Sequence, residues 1–158
     1  SFMTLTETFA LVSFSIFSYA DLRYRLVPGI EVFLFGTILL TFPATPIQTG
    51  IVLLACLWSI FRNLSGWFAI PLLFYPPVWP VLFTGYGYRK GIIGRADLLA
   101  ISGLACLFPL PAVLLSLLGL ELWRRLWIRR QQGNIPALPG LLLGLIVYLL
   151  LRLFLPTP

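Results

Sequence analysis

The chain contains two aspartates, Asp21 and Asp97, and each stands where a long apolar run meets basic residues: Arg23 and Arg25 after the first, Arg89, Lys90 and Arg95 before the second. A carboxylate at the edge of so apolar a segment costs free energy, so its default reading is functional. Two carboxylates held close together cannot both ionise easily. They share a proton, and one acts as base on water while the other acts as acid toward a scissile carbonyl oxygen. Such a pair titrates as a unit. The sequence has no histidine, which removes Ser-His-Asp and Cys-His arrangements and the HExxH zinc motif. Cys56 and Cys106 stand alone in apolar runs without the paired spacing of a zinc or redox motif, so they read as small buried residues, and neither metal nor cofactor is expected. A Ser/Lys mechanism through Lys90 is a poor alternative, because a Gly-rich polar stretch offers nothing to activate its amine.

The elements that must position these groups are set by composition. Of 158 residues, 59% are hydrophobic and 10% charged, and the mean hydropathy is +0.98, far from the roughly 45–50% apolar and 25% charged of a soluble domain. The apolar runs extend from end to end, so residues 1–158 are expected to form one polytopic membrane domain: an all-α bundle of about six transmembrane helices. The net charge of +6 fits basic cytoplasmic loops beside anionic membrane lipid. Nucleic acid is not an expected partner, because no long polar segment interleaves basic residues with exposed aromatics.

The first span is predicted over Phe2–Ala20. Its arginines follow the apolar run rather than precede it, so it reads as a retained helix with its N-terminus outside and the Asp21–Val27 loop in the cytoplasm. Pro28 and Gly29 open a second run, Ile30–Phe42, and a third covers Ile47–Phe61. Between Gly66 and Thr84 the prolines at 71, 76, 77 and 80 speak against one regular helix. A re-entrant or interfacial segment there leaves Arg89, Lys90, Arg95 and Asp97 on the same face as Asp21. Further spans are expected from Asp97 to Phe108, from Leu110 to Ile128 and from Leu138 to Leu155. Every basic residue except Arg152 then faces the cytoplasm, and the protein is placed as a multi-pass component of the cell membrane.

The residues Ser18-Tyr19-Ala20-Asp21-Leu22-Arg23-Tyr24-Arg25-Leu26-Val27-Pro28-Gly29 resemble the segment of prepilin peptidases in which the first catalytic aspartate precedes basic residues and an Ile/Val-Pro-Asn. Gly94-Arg95-Ala96-Asp97 resembles their second motif, Gly-x-Gly-Asp, in the looser archaeal form. The resemblance, to type IV prepilin and archaeal preflagellin peptidases, implies that Asp21 and Asp97 are catalytic, with Pro28, Gly94 and Ala96 as motif support. It implies cleavage of a short basic leader from precursors that continue into a hydrophobic helix, at the cytoplasmic membrane edge and without a cofactor. It also implies a peptidase-only form, without the cysteine motif and methyltransferase region of many bacterial members. Gly29 in place of Asn, Leu98-Leu99 after the second aspartate and the Pro-rich insertion depart from the pattern. Pro136-Ala137-Leu138 is similar to the Pro-Ala-Leu element of presenilin-type proteases, either as a substrate-proximal loop or as a simple helix start.

Blander readings stand beside these. Asp21 could pair with Arg25 four residues on, Asp97 could cap its own helix, and Gly94 could serve a tight backbone approach. Glu121 reads as a partner of Arg124 or Arg125. The alternative functions are a presenilin-like protease cutting inside the bilayer, or a non-enzymatic transporter or assembly protein in which the aspartates relay protons or cap helices.

Overall fold

Prolines cut the apolar sequence into pieces shorter than its composition suggests. A computed structural model describes residues 5–24, 29–61, 63–91, 94–130 and 138–154. The helices are α1 (Leu5–Tyr24), α2 (Ile30–Thr41), α3 (Pro46–Ile60), α4 (Gly66–Ala69), α5 (Trp79–Arg89), α6 (Arg95–Leu107), α7 (Leu110–Arg130) and α8 (Leu138–Phe154). Two 3₁₀ turns, Pro71–Phe74 and Pro76–Val78, lie between α4 and α5.

The expected bundle of six transmembrane helices is corrected by these lengths: no helix among the described residues is long and apolar enough to cross a membrane. The multi-pass placement in the cell membrane falls with it. Pro43 and Pro46 separate α2 from α3, and Pro109 and Pro111 mark the break between α6 and α7, because proline removes a helix donor and clashes with the preceding turn. The apolar helix α8 has 17 residues, about 26 Å at 1.5 Å per residue, against a hydrocarbon core of about 30 Å. The longer α1 and α7, of 20 and 21 residues, interrupt their apolar runs with charge: Glu7, Asp21 and Arg23 in one, Glu121 and four arginines in the other.

The chain divides into two compact units, residues 1–28 with 111–158, and residues 29–110. In the first, α1 lies against α8 in opposite directions. Glu7 near the start of α1 meets Arg152 near the end of α8 at 2.5 Å, and Asp21 near the end of α1 meets the first residue of α8, Leu138, at 3.3 Å. Fourteen residues separate the two contacts along each helix, so both spans rise about 21 Å and stay in register. α7 approaches α8 backbone to backbone. A Cβ on Gly144 would lie 2.2 Å from the Leu115 carbonyl oxygen, and one on Gly140 would lie 2.7 Å from the Leu120 Cα. Gly140 and Gly144 are four apart and share one face, the small-xxx-small pattern that lets two helices touch closely.

In the second unit α6 packs on α2, α3 and α5. Its residues Leu98 to Cys106 are all buried. The side-chain amide of Gln48 donates to the Ala105 carbonyl at 2.7 Å. Glycine at 85 brings α5 onto Ser59 of α3, and glycine at 103 admits the Phe33 ring. Arg89 closes the end of α3 by donating to the carbonyls of Trp58, Phe61 and Leu64 at 3.0, 2.9 and 2.6 Å, with its guanidinium 4.3 Å above the Trp58 ring. A cation at a helix C-terminus satisfies carbonyls that have no helical partner.

Candidate active site

Asp21 occupies the last turn of α1 and is half-buried. Its Oδ2 accepts the main-chain N–H of Leu138, the first residue of α8. The first N–H groups of a helix lack acceptors within the helix, and the macrodipole makes that end partly positive. A carboxylate supplied from another helix answers both demands. The opposite end of the α1–α8 pair is fixed by the buried Glu7 with Arg152. Asp21 is therefore set at one end of a helix pair that is tied by charge at the other.

Asp97 lies in the first turn of α6, after the N-cap Gly94. It is half-buried, between the exposed Arg95 and the fully buried Leu98. The apolar face that begins at Leu98 anchors the helix, and it holds the carboxylate at the rim of the core rather than inside it. Arg95 is turned toward the exposed Glu31 carboxylate, with which it forms an ion pair. Gly94, expected to allow a tight backbone approach, has an ordinary φ of −79°, and a Cβ there would meet only Asp97 Oδ2 at 3.9 Å. Ala96 is half-buried in the same turn.

Of the remaining predicted site residues, Leu138 is buried and in contact with Asp21. Pro28, Pro136 and Ala137 lie outside the described residues. Within one unit the structure thus joins the aspartate of the first motif to the Leu of the Pro-Ala-Leu element. Asp21 and Asp97 belong to different units, and each carries only its own surroundings. Asp21 with Leu138 is a pairing that sequence separation conceals, because the donor is a main-chain N–H.

Other charged residues have structural partners, and Glu121 has the arginines expected for it. Glu121 binds Arg124 at 2.6 Å and Arg125 at 3.2 Å, and these two arginines hold its carboxyl below the usual carboxylate range. Arg89 is the α3 clamp described above. Among the described residues no group of three or more His, Cys, Asp or Glu is placed to hold a metal ion. The two cysteines are buried and free; burial, and then the neighbouring Cys56, push the Cys106 thiol up to about 12. Comparison with family models, with curated proteins and with solved structures finds no match for this chain.

Proposed function

We propose that the chain is an aspartic endopeptidase of the prepilin-peptidase type, which removes a short basic leader from a precursor that continues into a hydrophobic segment. The observation that carries this reading is the hydrogen bond from Leu138 to Asp21, because it joins two elements that the sequence singled out for different reasons. An N–H donor and a helix N-terminus favour the carboxylate form, which suits Asp21 as the base. The resemblance, in which both aspartates are catalytic, leaves the acid role to Asp97. The carboxylate of Asp21 takes a proton from water as the water oxygen bonds to the scissile carbonyl carbon. The Asp97 carboxyl gives its proton to the carbonyl oxygen. Collapse of the tetrahedral species breaks the C–N bond: the proton held by Asp21 passes to the leaving amine, and a hydroxyl proton returns to Asp97 as the carbonyl re-forms.

The test is cleavage of synthetic precursors by the wild type and by Asp21→Asn and Asp97→Asn. Loss of cleavage in both variants, with helix content kept, supports the reading.

The same hydrogen bond favours a second reading in which Asp21 only caps α8. Asparagine caps about as well as aspartate, so under this reading Asp21→Asn behaves as the wild type in every assay. The two readings therefore separate on activity rather than on stability.

A further inference from the structure

The second unit carries a groove whose two halves differ in chemistry. One half is an open hollow of about 340 Å³ lined by Leu73, Trp79, Leu82 and Phe83. The other is a hollow of about 400 Å³ lined by Tyr86, Arg89 and Lys90. Trp58 and Gly66 line both, so the two hollows adjoin.

The apolar half offers a ligand no indole hydrogen bond. Trp58 Nε1 already donates to the Ser65 carbonyl at 3.2 Å, and Trp79 Nε1 donates to the Leu73 carbonyl at 2.7 Å. Both rings are fixed by those bonds, so the wall is formed before any ligand arrives. Phe83 and Trp79 are 72% and 51% exposed, a large aromatic surface that an apolar chain covers with gain. The other half is rich in donors. Arg89 spends three N–H contacts on carbonyls of the α3 end and has five N–H groups in all. Lys90 is exposed, its ammonium 5.5 Å from the Tyr86 ring centroid. Among the described residues no carboxylate lines either hollow.

We propose that this groove holds one long-chain fatty acid, with its carboxylate against Lys90 and Arg89 and its chain along Trp79 and Phe83. Charge complementarity selects an anionic head. The apolar hollow stands at the small end of the roughly 300–1,000 Å³ range of ligand pockets, which suits one acyl chain rather than two. The site is independent of Asp21 and Asp97 and of the peptidase reading.

The test uses 9,10-dibromostearic acid, whose bromines quench tryptophan at contact, added to the full chain in a non-ionic detergent. The acid should quench saturably, at a concentration about tenfold below its methyl ester, as expected when one charge-assisted contact is present or absent. Lys90→Gln should erase that preference and Lys90→Arg should restore it, with helix content unchanged by circular dichroism. Trp79→Phe should remove a large share of the quenching. Equal quenching by acid and ester, or a preference that survives Lys90→Gln, would overturn the proposal. Displacement of the acid by dioleoyl phosphatidylglycerol at the same concentration would overturn the single-chain assignment.

Discussion

Asp21 Oδ2 lies 3.3 Å from the main-chain nitrogen of Leu138, 117 residues away in sequence, and it answers the first donor of α8. The contact ties the most suggestive carboxylate of the chain to a helix start that would otherwise leave its N–H groups without acceptors. It also sets a direct experiment on the backbone. Proline is well tolerated at the first helical position, so Leu138→Pro deletes the donor while α8 persists. Asp21→Ala should cost about 0.5–2 kcal/mol of stability, in the range of a lost N-cap, and Asp21→Asn much less. Leu138→Pro should lower cleavage, as expected when the carboxylate loses the donor that holds it in place. Unchanged cleavage counts against Asp21 as the base.

Gly144 tests the α7–α8 contact. Alanine gains about 1 kcal/mol of helix propensity over glycine, but its Cβ would sit 2.2 Å from the Leu115 carbonyl oxygen and 2.5 Å from the Ser116 Cα. Backbone cannot step aside as a side chain can, so overpacking of about 1–3 kcal/mol should win. Gly144→Ala is expected to lower the Tm, whereas Gly50→Ala, with open space at its Cβ and a helical setting in α3, should raise it slightly. Equal effects of the two would refute the close approach.

Arg89 and Arg95 should respond differently to substitution. Arg89 donates to three carbonyls at the end of α3 and stacks on Trp58, and a lysine cannot reproduce that fork. Arg89→Lys should therefore cost at least about 1.5 kcal/mol. Arg95 and Glu31 are both more than half exposed, so Arg95→Gln should change stability by about 1 kcal/mol or less. Urea titration of the two variants checks the ranking.

The thiol of Cys106 links stability to alkaline pH. Its ordinary value of 9.0 is pushed up to about 12, first by burial and then by Cys56, so the folded chain holds this proton more tightly than the unfolded chain does. Between about pH 9 and 12 the unfolded state binds fewer protons, and stability falls as pH rises, by at most about 1.4 kcal/mol per unit. Cys106→Ala should flatten that decline relative to the wild type. Iodoacetamide at pH 8 should modify neither cysteine until denaturant is added.

Helix positions were largely legible in the sequence, since the runs at Ile30–Phe42, Ile47–Phe61 and Leu138–Leu155 lie within two residues of α2, α3 and α8. Composition misled where length decides. Hydropathy averaged over the chain ignores the prolines that stop each run and the charges within α1 and α7, and the span count followed the average. The helix α5 was hidden because Pro80 reads as a breaker, although proline is harmless in a first turn. At the candidate site, the residue types of Asp21 and Asp97 stood out by rarity. The Leu138 contact did not, because a main-chain donor leaves no trace in residue type.

The most direct measurement is cleavage of a precursor bearing a short basic leader and a hydrophobic segment, with products sized by mass spectrometry, by the wild type and by Asp21→Asn and Asp97→Asn. The account predicts a cut just before the hydrophobic segment by the wild type and none by either variant, although both keep their helix content. Cleavage by either Asn variant, or none by the wild type across several such precursors, would contradict it.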